Sequence, residues 1–194
     1  MIQSLHEISF LVQEDLGTKI VIDAEKDYGR YCAASFTPET NTIKFNSISF
    51  QCLSRDDKTK ASIVLHEIGH AIDYIEGYME ERMEEGIALD MFKGEMVAEL
   101  FAQHLLRSPE DTDNDVKKKT QERLRSLRTR PHLNYPQIFK EEENPYVGLR
   151  FNYQELLNQV QNHCEEFKEL VEKLQEWAAP FKAQKHSQWF FESA

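Results

Sequence analysis

The sequence predicts an α+β domain in which a small β-sheet packs on helices, followed by a mainly helical C-terminal region. Segments with the alternating pattern of strands lie near the N-terminus, and segments with helical periodicity fill most of the remaining chain. The 194 residues, of which 40% are hydrophobic, are enough to bury one sizeable core. We therefore expect a first domain in residues 1–110 and a helical extension packed on it in residues 111–194.

The first quarter of the chain is predicted to form one helix and three strands. Residues 4–16 carry apolar side chains at helical spacing, and a glycine follows them. Residues 19–23 have the composition of a short strand. Residues 31–36 and 42–46 are predicted to pair as a β-hairpin, because the turn-forming segment 37–41 separates them.

The rest of the chain is predicted to be helical, apart from one irregular segment. Residues 130–150 contain three prolines and a run of acidic residues, which interrupt any regular period. Gly77, Pro109 and Pro180 are expected to end three helices. The predicted helices span residues 57–76, 88–107, 115–129 and 151–179.

Charge and targeting signals narrow the classes of function. A net charge of −11 argues against a bulk electrostatic grip on nucleic acid or on an anionic membrane surface. The three cysteines lack the C-x-x-C spacing of metal ligands, and their odd number fits free thiols in a reducing compartment, with a Cys32–Cys52 bridge as the alternative. Neither a basic signal region nor an apolar run of about 20 residues is present. We therefore expect a cytoplasmic protein without membrane contact; export of an effector without an N-terminal signal is the alternative.

The basic stretch at 117–130 is the one feature that could bind nucleic acid. It concentrates seven basic residues in fourteen positions of an otherwise acidic chain. A solvated helix surface is the favoured interpretation, and nucleic-acid binding through this helix stays open as the less favoured one.

The most informative motif is H-E-x-x-H at His66, Glu67 and His70. In a helix the two histidines lie one turn apart on the same face, so that both imidazoles can reach one Zn²⁺ ion. Glu67 lies beside them and can take a proton from water. A chance match would occur in roughly one such sequence in thirty. Here, however, the apolar residues cluster on the opposite helix face: Val64, Leu65, Ile68, Ala71, Ile72 and Ile75.

A third metal ligand is expected from the next helix. Glu95 lies 25 residues after His70, and Glu99 follows one turn later in a segment that is otherwise strongly apolar. Buried carboxylates need partners. Zinc for Glu95 and a histidine ring N–H for Glu99 would supply them. The alternative is an acidic edge that faces solvent.

This pair of motifs resembles the gluzincin metallopeptidases. His66-Glu67-Ile-Gly-His70-Ala-Ile-Asp followed by Glu95-Met-Val-Ala-Glu99 is similar to the catalytic domain of anthrax lethal factor, to ImmA/IrrE peptidases and to ArdC metallopeptidase-like domains. The resemblance covers about residues 30–107 and implies a zincin-like domain. It also implies that Glu95 is the third zinc ligand, that Glu99 supports a ligand histidine, and that a β-hairpin edge can pair with an extended substrate.

The resemblance is incomplete at the residue that would stabilise the oxyanion. Lethal-factor-like enzymes carry a tyrosine seven residues before the ligand glutamate, where this chain has Ala88. Tyr74 is a candidate substitute, although it can equally be a tyrosine that lines its helix. Asp73 is either an acid that supports the metal ligands or an ordinary helix charge. Other residues that could close over the cleft, or be ordinary surface or core residues, are His132, Tyr135, Tyr146, Tyr153 and His163.

The sequence thus predicts a zinc metallopeptidase that hydrolyses a peptide bond in a specific protein. Zn²⁺ held by His66, His70 and Glu95 would acidify a water molecule, and Glu67 would accept its proton. The alternative is an ArdC- or ImmA-like antirestriction or regulatory binding protein whose zinc site is structural or vestigial.

Overall fold

A computed structural model of the protein describes residues 2–23, 34–46, 57–78, 87–129 and 152–182. These residues are mainly helical and include one small sheet, which confirms the predicted α+β class. The elements in chain order are α1 (Ile2–Leu16), β1 (Lys19–Asp23), β2 (Ala34–Thr37), β3 (Thr42–Asn46), α2 (Asp57–Ile75), α3 (Ile87–Leu105), α4 (Asp113–Thr129), α5 (Tyr153–Glu166) and α6 (Lys168–Lys182).

The sheet has the strand order β1-β3-β2. The predicted hairpin is confirmed, because β2 and β3 pair antiparallel across a 3-10 turn at Pro38–Thr40. On its other side β3 pairs with β1 in parallel. Ile43 and Phe45 of the central strand are fully buried, so the sheet contributes directly to the core.

Asn41 joins the hairpin turn to the end of α1. It adopts a left-handed conformation with φ of 43°, which asparagine tolerates better than most residues. Its side-chain amide donates to the carbonyl of Leu16 over 3.2 Å, and its side-chain oxygen accepts from the Thr18 hydroxyl at 2.7 Å. One turn residue therefore satisfies backbone and side-chain groups at the C-terminus of α1.

Helices α2 and α3 approach each other closely where they cross. A Cβ atom added at Gly69 would lie 3.0 Å from the Cα of Ala98 and 3.3 Å from a ring carbon of Phe101. Glycine is therefore needed for the approach of the two backbones, rather than for an unusual dihedral angle. Around the crossing the core is built from fully buried residues such as Leu65, Ile68 and Phe101.

A single hydrophobic cluster extends from α1 and the sheet through α2 and α3 to the last two helices. Leu156 and Val160 of α5 and Leu174 of α6 are almost completely buried in it. The amphipathic pattern of the C-terminal helices thus has its explanation in packing against the first part of the chain. No helix among the described residues combines the length and apolarity that crossing a membrane would require.

The predicted helix at 151–179 is wrong in two respects. It is two helices, because the backbone leaves the helical region at Phe167, with φ of −103° and ψ of 39°. Pro180 lies inside α6 rather than ending it. A proline has no backbone N–H to donate and crowds the preceding turn, but residues after it can still donate. Phe181 is buried against Trp177, which holds this last turn in place.

The start of α4 also differs from the prediction, since the helix begins at Asp113 instead of residue 115. Thr112 and Asp115 exchange hydrogen bonds: the Thr112 N–H donates to the Asp115 carboxylate, and the Asp115 N–H donates to the Thr112 hydroxyl. This is the reciprocal arrangement of a capping box, and it fixes the helix N-terminus before Asp113.

Several predicted features lie outside the described residues. They are the start of the hairpin at 31–33, the irregular segment at 130–150, and the cysteines Cys32 and Cys52.

The crossing of α2 and α3 gives a first prediction. Gly69→Val should lower the free energy of unfolding by about 2 kcal/mol or more, because the added carbons have no space against Ala98. Chemical denaturation of the variant measures this loss. Ser62→Val, a half-buried position on the same helix, is the control for β-branching alone. Equal losses in both variants would contradict the role of the crossing.

Candidate metal centre

Three side chains from two helices converge on one point. The Nε2 atoms of His66 and His70 on α2 lie 3.2 Å apart. The Glu95 carboxylate of α3 reaches both, with Oε2 at 3.6 Å from His66 Nε2 and Oε1 at 3.5 Å from His70 Nε2. One ligand atom from each residue lies within 4.8 Å of the others, so the group can hold a metal ion.

The three side chains are mostly buried, and their exposure increases from Glu95 to His70. The exposed fraction is 8% for the Glu95 side chain, 11% for His66 and 19% for His70. The carboxylate is therefore shielded from water, while the imidazoles keep an accessible edge. Two ring nitrogens and a carboxylate that face one another are an electron-rich set, and a cation is the partner that satisfies all three.

Glu99 lies behind His66. Its Oε2 atom is 3.6 Å from Nδ1 of His66, on the side of the ring opposite the cluster. Its other oxygen, Oε1, accepts a hydrogen bond of 2.8 Å from the side-chain amide of Gln103. The expected support of a ligand histidine by Glu99 remains a prediction.

Glu67 is buried on α2, directly after the first histidine of the motif. Helical geometry offsets it by about 100° from His66, so it flanks the cluster instead of joining it. Its assignment as the base remains a prediction.

Asp73, one turn beyond His70, connects α2 to α5. Its Oδ1 atom accepts a 2.7 Å hydrogen bond from the Gln159 side chain and lies 3.3 Å from Nε2 of His163. His163 is fully buried, and Tyr78 packs edge-on against its ring at 5.3 Å. Asp73 is thus part of a buried polar cluster between helices, and its predicted support of the metal ligands remains a prediction.

Tyr74 packs against the sheet. Its ring centre is 5.8 Å from that of Phe36 on β2, and the side chain is half-buried. This contact places Tyr74 between the motif helix and the edge of the sheet. Its proposed part in stabilising an oxyanion stays a prediction.

The residues suggested to close over a cleft have other surroundings where they are described. His163 is fully buried, so its ring does not line an open surface. Tyr153 lies below Lys117, whose Nζ atom is 5.6 Å from the ring centre, and burial raises the pKa of its phenol. Three further candidates, His132, Tyr135 and Tyr146, lie outside the described residues.

Part of the basic helix is engaged within the chain. Besides the contact of Lys117 with Tyr153, Lys119 forms an ion pair of 3.6 Å with Asp111. These contacts account for two of the basic side chains without an external partner.

Cys164 is unsuited to act as a nucleophile. Burial, with the charge of Glu165 nearby, raises the pKa of its thiol to about 11. The thiolate is therefore a minor species at neutral pH.

Sequence reasoning missed Gln103, Gln159 and the contact of His163 with Asp73. Gln103 had a usable signal, since it follows Glu99 by one helical turn on the same helix. The contacts of Gln159 and His163 join positions nearly ninety residues apart, and no local pattern encodes such a distance.

Comparison with protein-family models, curated proteins and solved structures gives no match for this chain.

The cluster around Asp73 gives a second prediction. Gln159→Leu removes a donor from a buried carboxylate and should lower the free energy of unfolding by about 1.5–3 kcal/mol. Thermal or chemical unfolding measures the change. Gln161→Leu, exposed on the same helix, should change stability by less than about 0.5 kcal/mol. If Gln159→Leu lowered the free energy of unfolding no more than the control does, the hydrogen bond to Asp73 would not have the stabilising effect expected of it.

Proposed function

We propose that this protein is a zinc-dependent metallopeptidase that cleaves a peptide bond in a protein or peptide substrate. The observation that carries the proposal is the convergence of His66, His70 and Glu95, with Glu67 next to the first histidine on the same helix. Two imidazoles and one carboxylate leave a coordination position open for water or substrate, as in catalytic zinc sites.

The spacing of the ligand atoms supports zinc as the metal. Bonds of 2.0–2.1 Å in tetrahedral geometry place ligand atoms about 3.3–3.4 Å apart. Here the two Nε2 atoms are 3.2 Å apart, and the two oxygens of Glu95 each lie near one of them, Oε1 at 3.5 Å from His70 and Oε2 at 3.6 Å from His66. The same donor set also occurs in non-haem iron sites. The glutamate that directly follows the first histidine favours hydrolysis, because a general base is what a hydrolytic zinc site requires.

A zinc ion bound at this site would acidify water and polarise the substrate carbonyl. Glu67 then accepts the proton of the attacking water and delivers it to the leaving nitrogen, so that the product leaves as a neutral amine and not as an anion. Glu99 orients the His66 ring through Nδ1, so that the lone pair of Nε2 on the same ring is directed into the cluster. Tyr74 is the candidate donor to the oxyanion.

The edge of the sheet supports a peptide as the substrate. Within the described sheet β2 is an edge strand, and its Phe36 contacts Tyr74 of the motif helix. An extended chain can add to such an edge through main-chain hydrogen bonds. This would lay the backbone of a substrate along the helix that carries His66 and His70.

The third prediction concerns the base. Glu67→Gln should keep bound zinc and lower kcat by about 10²–10⁴-fold, since the amide cannot accept a proton. Cleavage of a peptide library, followed by mass spectrometry, measures this effect. Glu76→Gln, at the end of the same helix, is the matched control and should cleave normally. Undiminished cleavage by Glu67→Gln would refute the mechanism.

The fourth prediction concerns the metal. Elemental analysis should find one zinc per chain, and His66→Ala should lose it, since one of three ligands is removed. A chelator should abolish cleavage, and added zinc should restore it. Iron in place of zinc would refute the metal assignment. Full zinc without cleavage of any peptide, with salt-dependent nucleic-acid binding instead, would favour the antirestriction or regulatory alternative.

A further inference from the structure

We propose that Gln103 is a positioning residue of the metal centre, acting through Glu99 to fix the ring of His66. This inference rests on the metal site used by the proposed function. In it the Gln103 amide holds the Glu99 carboxylate, and the carboxylate in turn holds the ring of the ligand His66.

Gln103 makes a directed contact with one oxygen of Glu99. Its Nε2 atom donates to Oε1 over 2.8 Å, which is a short bond for an amide donor. The two residues are one turn apart on α3, and Gln103 is only 7% exposed. Glutamine is usually a surface residue. The hydrogen bond to Glu99 gives a reason for the burial of this glutamine.

The two oxygens of Glu99 face different groups. Oε1 is held by Gln103, while Oε2 faces Nδ1 of His66 at 3.6 Å. A carboxylate anchored at one oxygen cannot rotate freely about its last bond. The second oxygen is consequently kept opposite the imidazole ring, and the ring is kept in the tautomer that directs Nε2 into the cluster.

The chemistry of the amide suits this position better than that of other side chains. A neutral donor holds the carboxylate without taking up its charge, which remains available to the His66 ring. A lysine or arginine would compete for that charge. A glutamate would place a second carboxylate against the first and repel it. An apolar residue would leave Oε1 without this donor.

The test is a double-mutant cycle on zinc affinity, measured on metal-free protein with a competing chromophoric chelator. Gln103→Met, which keeps the length of the side chain but cannot donate, should weaken zinc binding about 3–10-fold. Glu99→Met should weaken it about 10–100-fold, the range for residues that support a ligand. The double variant should bind no more weakly than Glu99→Met alone, because Gln103 acts only through Glu99.

Two controls separate positioning from general damage to the helix. Leu105→Met changes a buried apolar side chain on the same helix and should leave zinc affinity within about twofold. Nitrogen-15 spectra of the metal-free protein should show one His66 tautomer in the wild type and a mixture in Gln103→Met. If Gln103→Met folds poorly, Gln103→Asn, which withdraws the donor by one methylene, should show the same tautomer mixture.

Equal weakening by Gln103→Met in the wild-type and Glu99→Met backgrounds would overturn the inference, as would an unchanged His66 tautomer. The cycle needs no peptide cleavage. A chain that binds zinc with the predicted coupling but cleaves nothing would therefore refute only the proposed peptidase. A chain that cleaves peptides but gives additive effects would refute only the role of Gln103.

Discussion

The structure depends on the close approach of α2 and α3 at Gly69 and Ala98. His66 and His70 lie on either side of Gly69 along α2, and Glu95 and Glu99 lie on either side of Ala98 along α3. The separation of the two backbones at this crossing therefore determines whether the carboxylates can reach the imidazoles. A larger residue at either position would push apart the two halves of the candidate metal centre together with the core.

The same helix crossing consequently forms part of the apolar core and holds the polar site. Residues such as Leu65, Ile68 and Phe101 pack the crossing, and this packing offsets the cost of placing two carboxylates and two imidazoles close together. The same helix carries a second polar cluster one turn further on, where Asp73 contacts α5. In this way α2 has both apolar and polar contacts with α3, through the crossing and the histidine–glutamate pairs, and with α5, through the shared hydrophobic cluster and Asp73.

The sequence was sufficient for the parts of this arrangement that depend on local spacing. The i, i+4 separation of His66 and His70 predicts a shared face, and Glu95 and Glu99 follow the same rule on the next helix. The hairpin could be recognised from its turn, and the α+β class from the order of the segments. Each of these features is encoded within a few residues.

The features that the sequence did not indicate depend on contacts between residues far apart in the chain, or on packing that outweighs a local conformational preference. The parallel pairing of β1 with β3 and the contact of His163 with Asp73 involve partners that no local pattern specifies. The position of Pro180 inside α6 reflects tertiary packing, here the burial of Phe181, prevailing over local preference. Gln103 was overlooked because a glutamine one turn after a glutamate is common on helix surfaces.

The neighbours of α1 have a consequence for the order in which the chain folds. The first described helix packs against the last one, and Asp15 of α1 forms a 3.5 Å ion pair with Lys173 of α6. During synthesis the apolar stripe of α1 thus lacks part of its cover until α6 has emerged from the ribosome. A chain stalled before that point would expose the stripe to chaperones.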